Sequence, residues 1–184
     1  MTNWPEPNAY DLIMADPPWA FKAYSSKGYG KSAQSHYACQ SLEDIKAMPV
    51  QGLAKPDCML LLWATAPMLP EALEVVMAWG FAYKTGAVWH KRTATGKTAF
   101  GTGYRLRNAH EHLLLATRGS PKNTRGTRSV IDAKLREHSR KPEEAYVMAV
   151  ELMPDARRLE IFARQRRAGW DCWGNELDKF PALI

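Results

Sequence analysis

Cysteine is scarce in this chain. Only Cys39, Cys58 and Cys172 occur among 184 residues, and three widely spaced thiols with no C-x-x-C pair exclude a disulfide framework and give no structural zinc pattern. Apolar runs are all short, and none approaches the length of a membrane span. The first ten residues, with Trp4, Pro5, Glu6 and Pro7, lack the charged start and apolar centre of a secretion signal. The five histidines form no ligand cluster, and His110 and His112 are read as facing opposite sides of their strand, so no metal is expected. These absences point to a soluble, cytoplasmic protein with no membrane contact.

Acid is missing from the middle of the chain. Between Lys84 and Ile131 ten Lys and Arg residues face one acid, Glu111, although the net charge of the whole chain is only +6. A basic zone on an otherwise mildly acidic protein suits a polyanion, because Lys and Arg near phosphates release condensed counterions. A solvated basic surface explains the charge equally well.

At this length the chain buries one sizeable core, and it reads as a single domain over residues 1–184. Short apolar runs alternate with helical periods, the pattern of an α/β sheet covered by helices on both faces. Strands are expected at Tyr10–Ala15, Cys58–Ala64, Gly86–His90, His112–Thr117 and Arg158–Ala163, with a short sixth around Trp170–Trp173. A helix over Leu69–Trp79 would turn Leu69, Ala72, Leu73, Val76 and Met77 inward. A second, Pro142–Met153, opens on proline at the first helical position and would bury Ala145, Tyr146, Ala149, Val150 and Met153. The stretches Ala20–Ser35 and Thr93–Arg107, rich in Gly, Ser, Thr and basic residues, read as long loops.

The chemistry-bearing segment is Asp16-Pro17-Pro18-Trp19, directly after an apolar strand. In open α/β sheets ligands sit beyond the carboxyl ends of strands, so Asp16 is delivered to that edge. The two prolines stiffen the turn and, lacking N–H groups, are expected to leave their carbonyls free as acceptors. An aromatic amine needs that arrangement: its lone pair is delocalised into the ring, and acceptors for its two N–H groups must hold the nitrogen in line with an electrophile. The Asp16 carboxylate and the Pro17 carbonyl would be such a pair, and Trp19 would stack on an extruded base. A rigid turn with a packing tryptophan is the competing reading of the same four residues.

This tetrapeptide resembles the D-P-P-W form of the MT-A70 family of adenine N6 methyltransferases. The resemblance continues through His36-Tyr37, Leu62-Trp63-Ala64-Thr65, Trp79-Gly80-Phe81, Trp89-His90-Lys91, Arg107 to His112, Ser139 to Glu143, Leu159 to Arg164 and Gly174-Asn175-Glu176, in the family's order over nearly the whole chain. It implies a Rossmann-like class I methyltransferase sheet in permuted order, with the catalytic loop first and the cofactor strand last. It also implies S-adenosyl-L-methionine as cofactor, contacted by Asp16, Lys141, Phe162, Arg164, Asn175 and Glu176. Asp16, Pro17, Pro18 and Trp19 would form the catalytic loop. Tyr37 would pack near the target adenine, and Asn108 and Glu111 would orient the base edge or position Lys141. From the basic zone, Lys91, Arg105 and Arg107 would meet the polymer. Taken alone, Glu160 and Arg164 read equally well as exposed charges on an alternating strand. Only fifteen residues precede Asp16, so the upstream acidic strand that helps hold the cofactor's adenine in eukaryotic members is missing or supplied differently. Gln165, Arg166 and Arg167 also depart from the members with RNA targets.

The resulting expectation is a site-specific adenine N6 methyltransferase of DNA, like the short bacterial and phage members, with a homodimer left open. RNA is the rival substrate, since phosphate contacts read either polymer. A catalytically inactive binding partner of the same fold is disfavoured because Asp16 is present. Cytosine C5 chemistry would need a thiolate nucleophile, and no cysteine follows a proline. Cytosine N4 chemistry usually has serine where Asp16 stands.

Overall fold

Alternation along one strand decides which layer each residue joins. In Tyr10–Ala15 every residue from Leu12 to Ala15 is at most 1% exposed, Leu12 and Met14 packing into one apolar cluster and Ile13 and Ala15 into another. Side chains burying in opposite directions require cover on both faces of the sheet.

The computed structural model describes residues 3–19, 40–103, 105–137 and 140–183. Tyr37 and the loop expected at Ala20–Ser35 lie outside the described residues. The strands are β1 (Tyr10–Ala15), β2 (Ala54–Ala64), β3 (Ala82–Arg92), β4 (His110–Arg118), β5 (Val130–Lys134), β6 (Arg158–Ile161) and β7 (Trp170–Trp173). The helices are α1 (Leu42–Ala47), α2 (Leu69–Ala78) and α3 (Glu143–Leu152). One sheet runs β5-β3-β4-β2-β1-β6-β7. β4 is antiparallel to both neighbours, and the other pairings are parallel. The architecture is a Rossmann-like α/β sheet with helices on both faces.

On one face Ile13, Leu60, Leu62 and Leu159 meet Ile45 of α1 and Ala72, Val75 and Val76 of α2. On the other, Leu12, Met14, Leu61 and Leu113 meet Ala145, Tyr146, Ala149 and Leu152 of α3. Each fully buried Leu or Ile contributes about 1.5–3 kcal/mol, so β1 and β2 carry much of the core.

Most of each expected helix face is buried, Ala72 and Val76 in α2 and Ala145, Tyr146 and Ala149 in α3, with Met153 just beyond its end, and the departures lie at single positions. Val75 is buried in α2 while Met77 is 67% exposed, because α2 packs against α1 as well as the sheet: the Trp79 indole N–H beyond its end donates to the Ile45 carbonyl at 2.9 Å. In α3, Met148 and Leu152 are buried and Val150 is exposed, and Pro142 is the N-cap rather than the first helical residue.

Topology then gathers the ends. β1, β6 and β7 are parallel neighbours, so Asp16, Phe162 and Gly174 emerge at one edge. Antiparallel β4 starts at that edge and places Glu111 opposite the end of β2. His110 and His112 share a face, contrary to expectation, with ring centroids 4.9 Å apart and Nε2 atoms 3.3 Å apart. A period of two returns side chains to the same side at i+2.

Candidate active site

Asp16 heads an alternating chain of charge. Its Oδ2 lies 2.9 Å from Lys141 Nζ, which lies 2.9 Å from Glu111 Oε1, and Glu111 Oε2 lies 2.8 Å from Lys91 Nζ. Three strand ends and the segment before α3 supply the four groups, so no local motif could assemble them. Two tryptophans floor the chain: Lys141 Nζ sits 5.4 Å from the Trp63 ring centroid and Lys91 Nζ 4.9 Å from that of Trp89, the rings meeting edge to face. A cation over an indole face gains from the ring quadrupole, most where water is excluded.

Burial sets the protonation of this chain. Burial is the largest influence on the Asp16 carboxyl and raises it above the usual carboxylate range, with Glu111 pushing the same way and Lys141 pulling against both. Burial also opposes the Glu111 charge, but the ammonium groups of Lys141 and Lys91 prevail and hold that carboxyl at about 2. Lys141, although buried, is held above the ordinary lysine range by Asp16 and Glu111. Glu111 is thus the fixed anion, and Asp16 the carboxylate poised to take a proton.

The loop after Asp16 is anchored from behind. Trp19 is only 7% exposed and its indole N–H donates to the Trp63 carbonyl at 3.1 Å. It pins the turn rather than offering the ring expected to stack on a base. The proline carbonyls are also not free: Pro17 accepts from the Trp19 backbone N–H at 2.8 Å and Pro18 from that of Gln40 at 3.2 Å. The stiff turn folds back on itself, leaving each carbonyl its second lone pair.

Beside the loop lies a cavity of about 260 Å³ lined by Asp16, Pro18, Gln40, Phe162, Ala163, Arg164, Asn175 and Glu176. Asp16, Phe162, Arg164, Asn175 and Glu176 are therefore brought together as expected, while Lys141 lines a neighbouring cavity of about 30 Å³ with Arg140, Glu160 and Arg167. Arg164 Nε is 2.9 Å from Glu176 Oε2, tying the end of β6 to the segment after β7. Phe162 adopts φ +64°, an uncommon left-handed conformation for a bulky residue. Gly174 packs on it so closely that a Cβ there would lie 2.3 Å from the Ala163 carbonyl oxygen.

Three residues were missed. Gln40 lines the larger cavity with a buried Oε1 that has no partner among the described residues. Glu160 is buried, not exposed, and accepts from the Tyr146 hydroxyl at 2.6 Å, with the Arg167 guanidinium 3.5 Å from the Tyr146 ring centroid. Burial lifts the Glu160 carboxyl to about 7 despite that hydrogen bond. A glutamate in the middle of a four-residue strand buried throughout was the signal available for it.

Lys91 is committed to Glu111 rather than to a polymer, and Asn108 acts through its backbone, accepting from Gly101 and donating to Thr102. Arg105 and Arg107 stand exposed on the loop between β3 and β4. Among the described residues no group of three or more His, Cys, Asp or Glu is placed to hold a metal ion, and no helix is long and apolar enough to cross a membrane.

A family model described as MT-A70 matches residues 10–176. The chain is 33% identical over 178 residues to the N(6)-adenosine-methyltransferase MT-A70-like of Arabidopsis thaliana, covering 92% of this chain and 24% of that protein. It is 28% identical over 187 residues to the type II methyltransferase M.MunI of Mycoplasma sp, covering 91% and 78%. It is 30% identical over 185 residues to the N6-methyladenosine RNA methyltransferase MTA1 of Cryphonectria parasitica, covering 95% and 54%. The chain thus spans about a quarter of the plant relative's length and most of the type II enzyme's.

Proposed function

Because the chain belongs to the MT-A70 family, we propose that it is an S-adenosyl-L-methionine-dependent methyltransferase acting on the N6 amine of adenine in DNA. The observation that carries the reading is the single cavity at which Asp16 from the end of β1 meets Phe162, Arg164, Asn175 and Glu176 from the ends of β6 and β7.

The lining suits the cofactor. Gln40 Oε1, buried without a partner among the described residues, can take a donor. The Asn175 amide and Glu176 carboxylate match ribose hydroxyls, which both give and accept hydrogen bonds. Asp16 faces the same space and suits an ammonium. When bound, S-adenosyl-L-methionine supplies a methyl group activated by its sulfonium.

The chain's own work is on the amine. Lys141 engages Asp16 Oδ2, so Oδ1 serves as acceptor for one amine N–H and the second lone pair of the Pro17 carbonyl for the other. Both are fixed before the substrate arrives, which removes the cost of orienting them during reaction. As the N–C bond forms the nitrogen must lose a proton, and Asp16, its affinity for protons raised by burial, takes it up. Lys141 keeps Asp16 ionised beforehand, and Glu111 with Lys91 keeps Lys141 in place.

DNA is favoured by similarity along most of the length of the type II methyltransferase. RNA is the second reading, favoured by the likeness to the fungal RNA methyltransferase. The test incubates the protein with labelled S-adenosyl-L-methionine and separate DNA and RNA pools and identifies the modified nucleoside by mass spectrometry. N6-methyldeoxyadenosine is expected. N6-methyladenosine alone would transfer the assignment to RNA, and no label in either pool would overturn it.

A further inference from the structure

Leu106 and Phe100 are the most exposed large apolar side chains among the described residues, at 83% and 78%. Both belong to the loop joining β3 to β4. Single exposed apolar residues are ordinary, but these two stand on a built support. The Ala99 N–H donates to the Lys91 carbonyl at 2.7 Å, the Gly101 N–H to the Asn108 carbonyl and the Asn108 N–H to the Thr102 carbonyl, the last two at 3.0 Å. Two glycines allow that closure: a Cβ on Gly101 would lie 2.3 Å from Asn108 O, and one on Gly103, at φ +148°, 2.0 Å from Leu106 O. The Arg107 guanidinium caps the Phe100 ring at 4.9 Å. The loop therefore presents Leu106 between Arg105 and Arg107, with Phe100 under the Arg107 guanidinium.

Position and charge decide what the tip meets. The loop is rooted on Lys91 and Glu111, the outer half of the charged chain that ends at Asp16. Leu106 stands five positions before Glu111, a reach of about 17 Å at most. A protein-binding patch is depleted of charge at its centre, whereas this tip lies in the segment with ten basic residues against one acid. An adenine in a duplex is stacked, and its amine reaches a strand-end pocket only after extrusion. Apolar side chains flanked by Arg are suited to enter between base steps while the guanidinium groups hold phosphates.

We propose that Leu106, flanked by Arg105 and by Arg107, whose guanidinium rests on the Phe100 ring, is a wedge that enters a nucleic-acid duplex and fills the place vacated by the target adenine. The proposal rests on the reading that the substrate is DNA. It adds that the substrate is double-stranded and that the β3–β4 loop opens it.

The test compares wild type, Leu106→Ala and Leu106→Phe on native and heat-denatured portions of one DNA pool, with labelled S-adenosyl-L-methionine and circular dichroism to confirm folding. Leu106→Ala is expected to lose about tenfold on native duplex and less than about twofold on denatured strands, because extrusion is needed only in the first. Leu106→Phe, which keeps an apolar wedge, is expected to retain most duplex activity. Equal effects on both forms, or wild-type activity on denatured strands alone, would overturn the wedge. So would a sedimentation shift from dimer to monomer on Leu106→Ala, which would make the tip a contact between protein chains. A wild type that labels neither form of DNA removes the DNA reading and the wedge with it. A failure of the wedge alone leaves the wild type active on duplex and Leu106→Ala unimpaired.

Discussion

Lys141 Nζ lies 2.9 Å from Asp16 Oδ2, and the residue that would accept the amine is thereby held by a buried cation with a second carboxylate behind it. Removing that cation strands two acids in one place. Lys141→Met is expected to cost about 3–5 kcal/mol in denaturant unfolding, as for other broken buried ion pairs. The double variant Lys141→Met with Glu111→Gln should recover part of the loss, since it removes one of the stranded acids. Strict additivity of the two single changes would show that the residues do not act together.

Asp16→Asn keeps the shape of the side chain but removes its charge and its capacity to take a proton. Transfer to nucleic acid is expected to fall by about 10²–10⁴-fold, the range for a lost general base. Binding of S-adenosyl-L-methionine, followed by calorimetry, should weaken but persist, because Arg164, Asn175 and Glu176 still line the cavity. Unimpaired transfer would remove Asp16 from the reaction.

The raised carboxyl of Glu160 makes stability depend on pH in a stated direction. Burial favours its protonated form in the folded protein, so its stabilising contribution is complete below the ordinary 4.5 and is lost as pH rises through about 7. Glu160→Gln should be more stable than wild type at pH 8, by up to about 3 kcal/mol, and no more stable near pH 4. Thermal unfolding across pH 4 to 8 measures the difference, and parallel curves for the two proteins would show that Glu160 stays charged throughout.

Gly174→Ala places a methyl group against the Ala163 carbonyl and the Phe162 backbone. The two strand ends must separate, at a cost of about 1–3 kcal/mol. The damage falls on the wall of the larger cavity, so weaker cofactor binding should accompany the lowered melting temperature. A variant with wild-type cofactor affinity would show that the cavity tolerates the shift.

Arg105 and Arg107 are exposed on the β3–β4 loop. Replacing both with Gln should reduce the slope of log binding constant against log salt by about two, roughly one per lost phosphate contact. An unchanged slope would place the phosphate contacts on other members of the basic segment.

Strands whose residues bury on both faces were legible because their composition is continuously apolar, as in Leu12 to Ala15 and Met59 to Ala64. β5 was missed because only Ile131 and Ala133 of its five residues point inward and it lies at the sheet edge. α1 was missed because it is six residues long and buries only Ile45, although Ser41 capping the Asp44 N–H was a readable start signal. The cavity side of the site was legible through the resemblance of its two motif ends. The pairing of Lys91 with Glu111 was not, since a lysine in a basic stretch carries no local sign that a strand register will set it beside the stretch's one acid. Nor was the anchoring of Trp19, whose partner is a backbone carbonyl on another strand.

β1 lies between β2 and β6, and those neighbours are made at very different times. At about 5–20 residues per second, the roughly ninety residues between the end of β2 and the start of β6 take on the order of 5–20 s to emerge. Throughout that interval the strand leading to Asp16 has one hydrogen-bonding edge filled and the other open. Parallel pairing between distant segments is also intrinsically slow to form. The nascent chain is therefore most prone to misassociation along β1, and conditions that favour its aggregation should act during synthesis, before Arg158–Ile161 arrives to close the edge.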